Sequence, residues 1–331
     1  MKRFNAITDV PGIKVGHASN FKALTGCTVF LFDEGAIGGI DIRGAATGTR
    51  QIDALNPLHI VDKIDALLLT GGSSFGLDAA GGVITYLEER GKGFDVVTTK
   101  VPIVPTAVIF DLGIGHSRVR PTPKMGYEAC LHASKKVEEG SIGVGTGATV
   151  GKLFGIDRAM KGGVGSSSIQ GPNGLIVGAF VVINAFGDIL DPESNQIIAG
   201  SRKSKKSFQF ANSSKWMRKG VARKGFGAIP LSHSVSTSNT TLGIIATNAH
   251  LSKIEVHQVA MIAHSGLTKV ISPAHTTFDG DLIFAVSLGK KKADVNTVGL
   301  LGEVVLMESV KRAIIKANGF GVIPAYRDIK V

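Results

Sequence analysis

The chain has 331 residues, enough to bury a large core in one big domain or two. Hydrophobic residues make up 44% and charged residues 19%, which fits a globular enzyme and excludes a disordered or fibrous chain. The net charge of +11 suggests a nucleic-acid partner, but residues 201–227 hold nine Lys and Arg and no Asp or Glu, so one segment carries most of the excess. Its Ser, Asn and Gly breakers and lack of amphipathic period make it a solvated, mobile loop by expectation, with a basic patch for nucleic acid or an acidic partner as the alternative.

In chain order, the N-terminus is basic but has no apolar core segment of a secretory signal, and no later run is long enough to span a bilayer. Cys27–Phe32 and Ala66–Thr70 are short apolar runs bounded by turn residues, as in buried strands. Ser73 or Ser74 is placed to cap a helix with Leu77, Ala80, Ile84 and Leu87 on one face, ending at Gly91. Residues Lys124–Glu139 read as a second helix and Gly174–Asn184, rich in β-branched residues, as a strand. Thr241–Thr247 is a further strand. Ser252 and Glu255 form a capping box opening a helix whose apolar face is Val256, Val259, Ala260, Ala263, Leu267 and Val270. Asp281–Leu288 is a strand and Val295–Ala317 a long final helix. Nearly continuous apolar strands alternating with such helices predict a sheet core covered by helices on its faces. The basic segment separates a long N-terminal part from a compact C-terminal βαβα part.

The 43 glycines are nearly double the usual share of about 7% and cluster at Gly71-Gly72, Gly143–Gly151 and Gly162–Gly165, where turns or close backbone approach are expected. The run Gly143–Leu153 resembles a phosphate loop but has Thr146 where the first glycine belongs and Leu153 in place of the magnesium-binding hydroxyl. His250, His257 and His264 are spaced by seven without a carboxylate to complete a zinc site, so neither metal nor cofactor is expected. Cys27 and Cys130 lie far apart and fit packing roles in a reduced, cytoplasmic protein.

Around Asn239 and Thr240, a polar stretch runs into a core strand that begins with hydroxyl residues. If the bond before Thr240 breaks, its hydroxyl and its new α-amine sit on one residue. With a pKa of about 7.7–8.0 the amine is partly neutral near pH 7 and takes the hydroxyl proton. Taken alone, an Asn-Thr-Thr before a strand is usually just a turn and a strand start. Thr241 is the competing nucleophile.

Ordered stretches over nearly the whole chain carry a resemblance. They are Ile7–Ala18, Thr25–Phe32, Arg43–Pro57, Leu69–Gly91, Val101–Gly113, Gly145–Lys152 and Asn239–Ala249. The chain resembles the self-processing aminopeptidases, a family that includes L-aminopeptidase/D-amidase-esterases, β-peptidyl aminopeptidases and nylon-oligomer hydrolases. The resemblance implies a four-layer αββα sandwich, N-terminal-nucleophile-like with its own connectivity. It also implies one domain cut into residues 1–239 and 240–331, and a homo-oligomer of such pairs. The implied nucleophile is Thr240, with cleavage after Asn239. Asp279 and Asp281 match the Asp-x-Asp of the nylon-oligomer branch and are expected to hold the Thr240 amine and orient its hydroxyl. Asn184 matches an oxyanion-hole donor, and Lys152 a lysine near the nucleophile. Where some relatives carry an active-site tyrosine, Phe110 stands here. The implied activity is amide hydrolysis through an acyl-enzyme on a small peptide or amino-acid amide, with no nucleic-acid or membrane partner. The rival readings are an acyltransferase similar to the ornithine acetyltransferases and an unprocessed binding protein.

Overall fold

The structure, a computed structural model, describes residues 4–221 and 239–329. Its centre is a nine-stranded mixed sheet folded onto itself. In chain order the strands are β1 (Ile13–Asn20), β2 (Thr25–Ile42), β3 (Thr49–Arg50), β4 (Ile64–Thr70), β5 (Thr106–Val108), β6 (Gly163–Gln170), β7 (Ile176–Asn184), β8 (Thr240–Ala249) and β9 (Leu282–Lys291). The spatial order is β6-β7-β8-β9-β2-β4-β5-β3, with β1 on the other edge of β2. Only β8 with β9 and β4 with β5 run parallel among these pairs.

β2 is the hinge of this arrangement. Its first half pairs with β1 and β4, its second half with β9, and the register shifts between them at Leu31 and Ala36. One long strand therefore belongs to both halves of the sheet. The alternation of side chains then sorts the core into three layers. Phe30, Leu67, Leu69, Phe180, Val182, Leu242, Ile244 and Phe284 face one another between the two halves. Ala66 and Leu68, on the opposite face of β4, pack on α1 (Ala79–Glu88) and α2 (Pro123–Leu131) through Ala80, Val83, Leu87 and Ala129. Val181, Ile245 and Ile283 pack on α4 (Lys253–Val270) and α5 (Val295–Ile315). Three apolar layers between four structural layers make the expected αββα sandwich.

Several sequence expectations need adjusting. The strand read at Cys27–Phe32 continues for 18 residues, because the Gly-rich stretch that follows still pairs with β9. Neither Ser73 nor Ser74 caps α1: Ser73–Asp78 forms a tighter 3-10 turn after Gly72, and Ser73 itself has φ +53°. The second helix stops at Leu131, since His132–Gly140 is used instead to bridge β1 at Ser134 and β6 at Gly140. The Ser252–Glu255 capping box forms as read, and all six residues assigned to the inner face of α4 are buried. Cys27 and Cys130 are buried in the α1/α2 layer, where burial raises both thiols, that of Cys130 to about 12.

The described part of the basic segment is anchored, contrary to a loose loop. Arg202 is buried and donates to the carbonyls of Asp157 (2.8 Å) and Lys205 (2.5 Å). Asp188 accepts from the backbone of Ser201 (2.8 Å) and Ser213 (2.6 Å), fixing the start of α3 (Ser213–Arg218). Lys203, Lys205, Lys206 and Lys215 remain exposed. Residues 222–227 lie outside the described residues. No helix among the described residues is long and apolar enough to cross a membrane.

Candidate active site

Thr240 is the first residue of β8, a strand interior to the sheet. Asn184, the last residue of β7, is its partner on one side, and the Asp279-Gly280-Asp281 turn leads into β9 on the other. Leu242, Ile244 and Ala246 point between the sheet halves, so burial of that face fixes the register. Thr240 is thus held in place by the core of the strand it begins. Asn239, Thr240 and Thr241 are all buried.

In the uncut chain the peptide between Asn239 and Thr240 is gripped closely. The Thr240 hydroxyl donates to the Asn239 carbonyl oxygen at 2.5 Å, and the backbone N–H of Gly280 donates to the same oxygen at 2.8 Å. The Asn239 N–H in turn donates to Phe278 O at 3.1 Å, giving a parallel bridge between Asn239 and Asp279. Gly280 must be glycine here: a Cβ would lie 2.6 Å from Ala46 O and 2.9 Å from Thr240 Oγ1. The Asp-Gly-Asp motif points to its carboxylates, but the group that bonds this peptide is the backbone N–H between them.

Both carboxylates flank this peptide, but neither bonds the Thr240 hydroxyl in the uncut chain. Asp281 accepts from the Thr241 N–H (2.7 Å), and its other oxygen accepts from the His275 backbone (3.2 Å) and lies 2.9 Å from His275 Nδ1. Asp279 accepts from the Phe186 N–H (3.1 Å) and from the Thr276 N–H (3.1 Å) and hydroxyl (2.6 Å). Burial, and then the nearby charge of Asp281, raise the Asp279 carboxyl above its ordinary range. His275 packs edge-on against His264 at 4.7 Å between ring centres, and His264 Nδ1 lies 2.8 Å from Asp41. Burial holds His264 below its usual value against the opposing pull of Asp41. His275 opens the same stretch as the two aspartates, and that proximity in sequence is the signal that could have found it.

Asn184 and Lys152 meet on the other side. Lys152 Nζ donates to the Asn184 side-chain oxygen (2.7 Å) and backbone carbonyl (2.9 Å). The Thr149 N–H also donates to that side-chain oxygen (3.0 Å), which turns the amide nitrogen of Asn184 toward Phe110 O at 3.1 Å. One of its two N–H groups is used there. Phe110 contributes its carbonyl to this network. The five residues expected at the site are therefore all close to one strand end: Thr240, Asn184, Lys152, Asp279 and Asp281.

Behind this wall lie two buried charges that sequence reasoning missed. Lys161 donates to the carbonyls of Gly145 (2.9 Å), Ala148 (2.9 Å) and Gly162 (3.0 Å), and burial pushes its amine down to about 7 against the attraction of Asp111. Asp111 accepts from Thr25 Oγ1 (2.7 Å) and the Gly72 N–H (2.7 Å), and burial pushes it up to about 6. A Cβ at Gly71 would lie 2.1 Å from Asp111 Oδ2. The glycine clusters thus let backbone wrap two ionisable groups. Among the described residues no group of three or more His, Cys, Asp or Glu is placed to hold a metal ion.

Comparison with known proteins places the chain among hydrolases. The model of peptidase family S58 matches residues 5–321. An uncharacterised aminopeptidase of Mycobacterium tuberculosis is 37% identical over 98% of this chain and 98% of its own length. A 6-aminohexanoate-oligomer endohydrolase of Kocuria is 29% identical over 92% of this chain and 84% of its own. The L-aminopeptidase D-Ala-esterase/amidase of Ochrobactrum anthropi, a variant of the Ntn hydrolase fold, superposes with TM-score 0.69 at 17% identity, covering 98% of this chain and 91% of that one.

Proposed function

The chain belongs to peptidase family S58 and is a hydrolase; from this premise we propose that it cuts itself between Asn239 and Thr240 and then hydrolyses amides with Thr240 as an N-terminal nucleophile. The observation that carries the reading is the Asn239 carbonyl, bonded at once by the Thr240 hydroxyl (2.5 Å) and by the Gly280 N–H (2.8 Å). In self-cleavage the hydroxyl oxygen attacks the Asn239 carbonyl carbon, and Gly280 stabilises the oxyanion. Collapse breaks the C–N bond as the hydroxyl proton passes to the nitrogen, which leaves as the α-amine of Thr240, and water hydrolyses the resulting ester to free the Asn239 carboxyl. The fragments stay together because β8 is paired with β7, which precedes the cut, and β9 with β2.

In turnover the freed α-amine, with a reference pKa of about 7.7–8.0, takes the hydroxyl proton. The alkoxide attacks a substrate amide, the C–N bond breaks as the ammonium returns its proton to the departing nitrogen, and water then hydrolyses the acyl-enzyme to release the acid and restore the hydroxyl. The free N–H of Asn184 is the second donor for the substrate oxyanion, its carboxamide held by Lys152 and Thr149. Asp281 fixes the backbone at Thr241, and Asp279 steadies the turn that carries Gly280. The test compares purified wild-type chain with Thr240→Ala and Thr240→Ser on an amino-acid p-nitroanilide. The expected result is cleavage and turnover in wild type, neither in Thr240→Ala, and both, altered in rate, in Thr240→Ser. Normal turnover by Thr240→Ala would overturn the mechanism.

A further inference from the structure

We infer that the seat now filled by Asn239 is the acyl-residue pocket for external substrates, and that its spacing selects α-amino-acyl groups over β- or ω-amino-acyl groups. This rests on the self-processing reading above, because the seat empties only when the chain is cut and Asn239 withdraws.

The uncut chain carries its own bound substrate. Asn239 lies immediately before the nucleophile, in the place of the residue whose carbonyl is attacked. Its main chain is held at two points: N–H to Phe278 O (3.1 Å) and carbonyl oxygen to Gly280 N–H (2.8 Å). These belong to one rigid turn leading into β9, and Asp279 between them is tied to Phe186 and Thr276. Acceptor and donor are therefore fixed relative to each other. An α-amino-acyl residue has one carbon between its nitrogen and its carbonyl carbon, and it spans the two points as Asn239 does. Each further methylene adds roughly 1.5 Å of bond path between them. A β-residue that places its carbonyl on Gly280 thus carries its nitrogen past Phe278 O, and a 6-aminohexanoyl residue carries it far beyond. A site built to hydrogen-bond a substrate group discriminates strongly against an analogue that cannot supply it.

The side-chain part of the seat is enclosed. Asn239 has no exposed surface, and its Nδ2 lies 3.4 Å from Phe278 O. Its Oδ1 is buried with no hydrogen-bond partner among the described residues. Such a pocket takes a small side chain, and a polar one is under-satisfied in it. Phe278 is stacked on Phe186 at 5.3 Å, which limits how far that wall can retreat.

The experiment uses the full chain after self-cleavage and measures kcat/KM on the p-nitroanilides of L-alanine, β-alanine and 6-aminohexanoic acid. The α-substrate is expected to exceed the other two by about a hundredfold or more. Equal or faster hydrolysis of the β-alanine or 6-aminohexanoic acid substrate would overturn the pocket assignment while leaving the nucleophile intact. If the cut enzyme hydrolyses none of the three, the amidase reading itself fails, and the pocket with it.

Discussion

Thr240 sits between two walls that are built differently. On one side, β8 and β9 are ten-residue strands tied to α4 and α5, with buried side chains along most of their length. On the other, residues 71–78 and 143–150 are 3-10 turns and a two-residue strand, wrapped around Asp111 and Lys161. The first wall draws its precision from core packing: Thr240 is placed because the strand it begins cannot slide. The second draws its precision from hydrogen bonds to backbone, which glycine permits by letting carbonyls and amides approach a buried charge. Perturbing the strand wall therefore acts on chemistry, and perturbing the glycine wall acts first on stability.

The largest effect is expected from Thr240→Ala, which removes the proposed nucleophile. Self-cleavage should vanish on gels, and amide turnover should fall by about a thousandfold or more. Next is Gly280→Ala, whose methyl meets Ala46 O and Thr240 Oγ1 at 2.6 and 2.9 Å. Displacing that oxyanion donor should slow self-cleavage by about 10²–10³-fold in a time course of fragment appearance, while circular dichroism stays native. A Gly280→Ala chain that cuts at the wild-type rate would remove the donor from the account.

A smaller loss is expected from His275→Ala, which leaves Asp281 without its 2.9 Å side-chain contact and loosens the grip on Thr241. Self-cleavage should slow by about tenfold to a hundredfold, as for a modest misplacement, with Tm little changed. The glycine wall gives the smallest effect on chemistry and a distinct one on stability. Lys161 is lowered from 10.5 to about 7 in the folded chain, so between those pH values the unfolded chain binds more protons. Stability then rises with pH across that window, by at most about 1.4 kcal/mol per pH unit from this group. Lys161→Met should flatten that rise in melts from pH 7 to 10. It should also lower Tm throughout, because three carbonyls lose their donor. An unchanged slope would assign the pH dependence to other groups.

The same contrast explains what the sequence made legible. β8, α4, β9 and α5 are long and periodic, so apolar spacing and the Ser252–Glu255 box located them to within a few residues. The positions of Thr240, Asn184, Lys152, Asp279 and Asp281 came from resemblance, and the structure brings them together. The finer geometry did not come through. Gly280 acts through its backbone, which residue identity does not announce, and Lys161 in a Met-Lys-Gly-Gly stretch looks like any surface lysine until the fold buries it. Ser73 looked like a helix cap because Ser before an apolar period usually is one, yet the backbone at Gly72 turns left-handed and spends six residues in a tighter coil. The expected role of the aspartates, holding the Thr240 amine, concerns a group that the intact chain lacks.

The central claim is the cut itself, and intact-mass spectrometry of the purified chain after incubation near neutral pH tests it most directly. The account predicts two fragments, one ending at Asn239 and one beginning at Thr240, present in wild type and absent in Thr240→Ala. A single uncut chain that nonetheless hydrolyses amides, or a cut at any other bond, would contradict it.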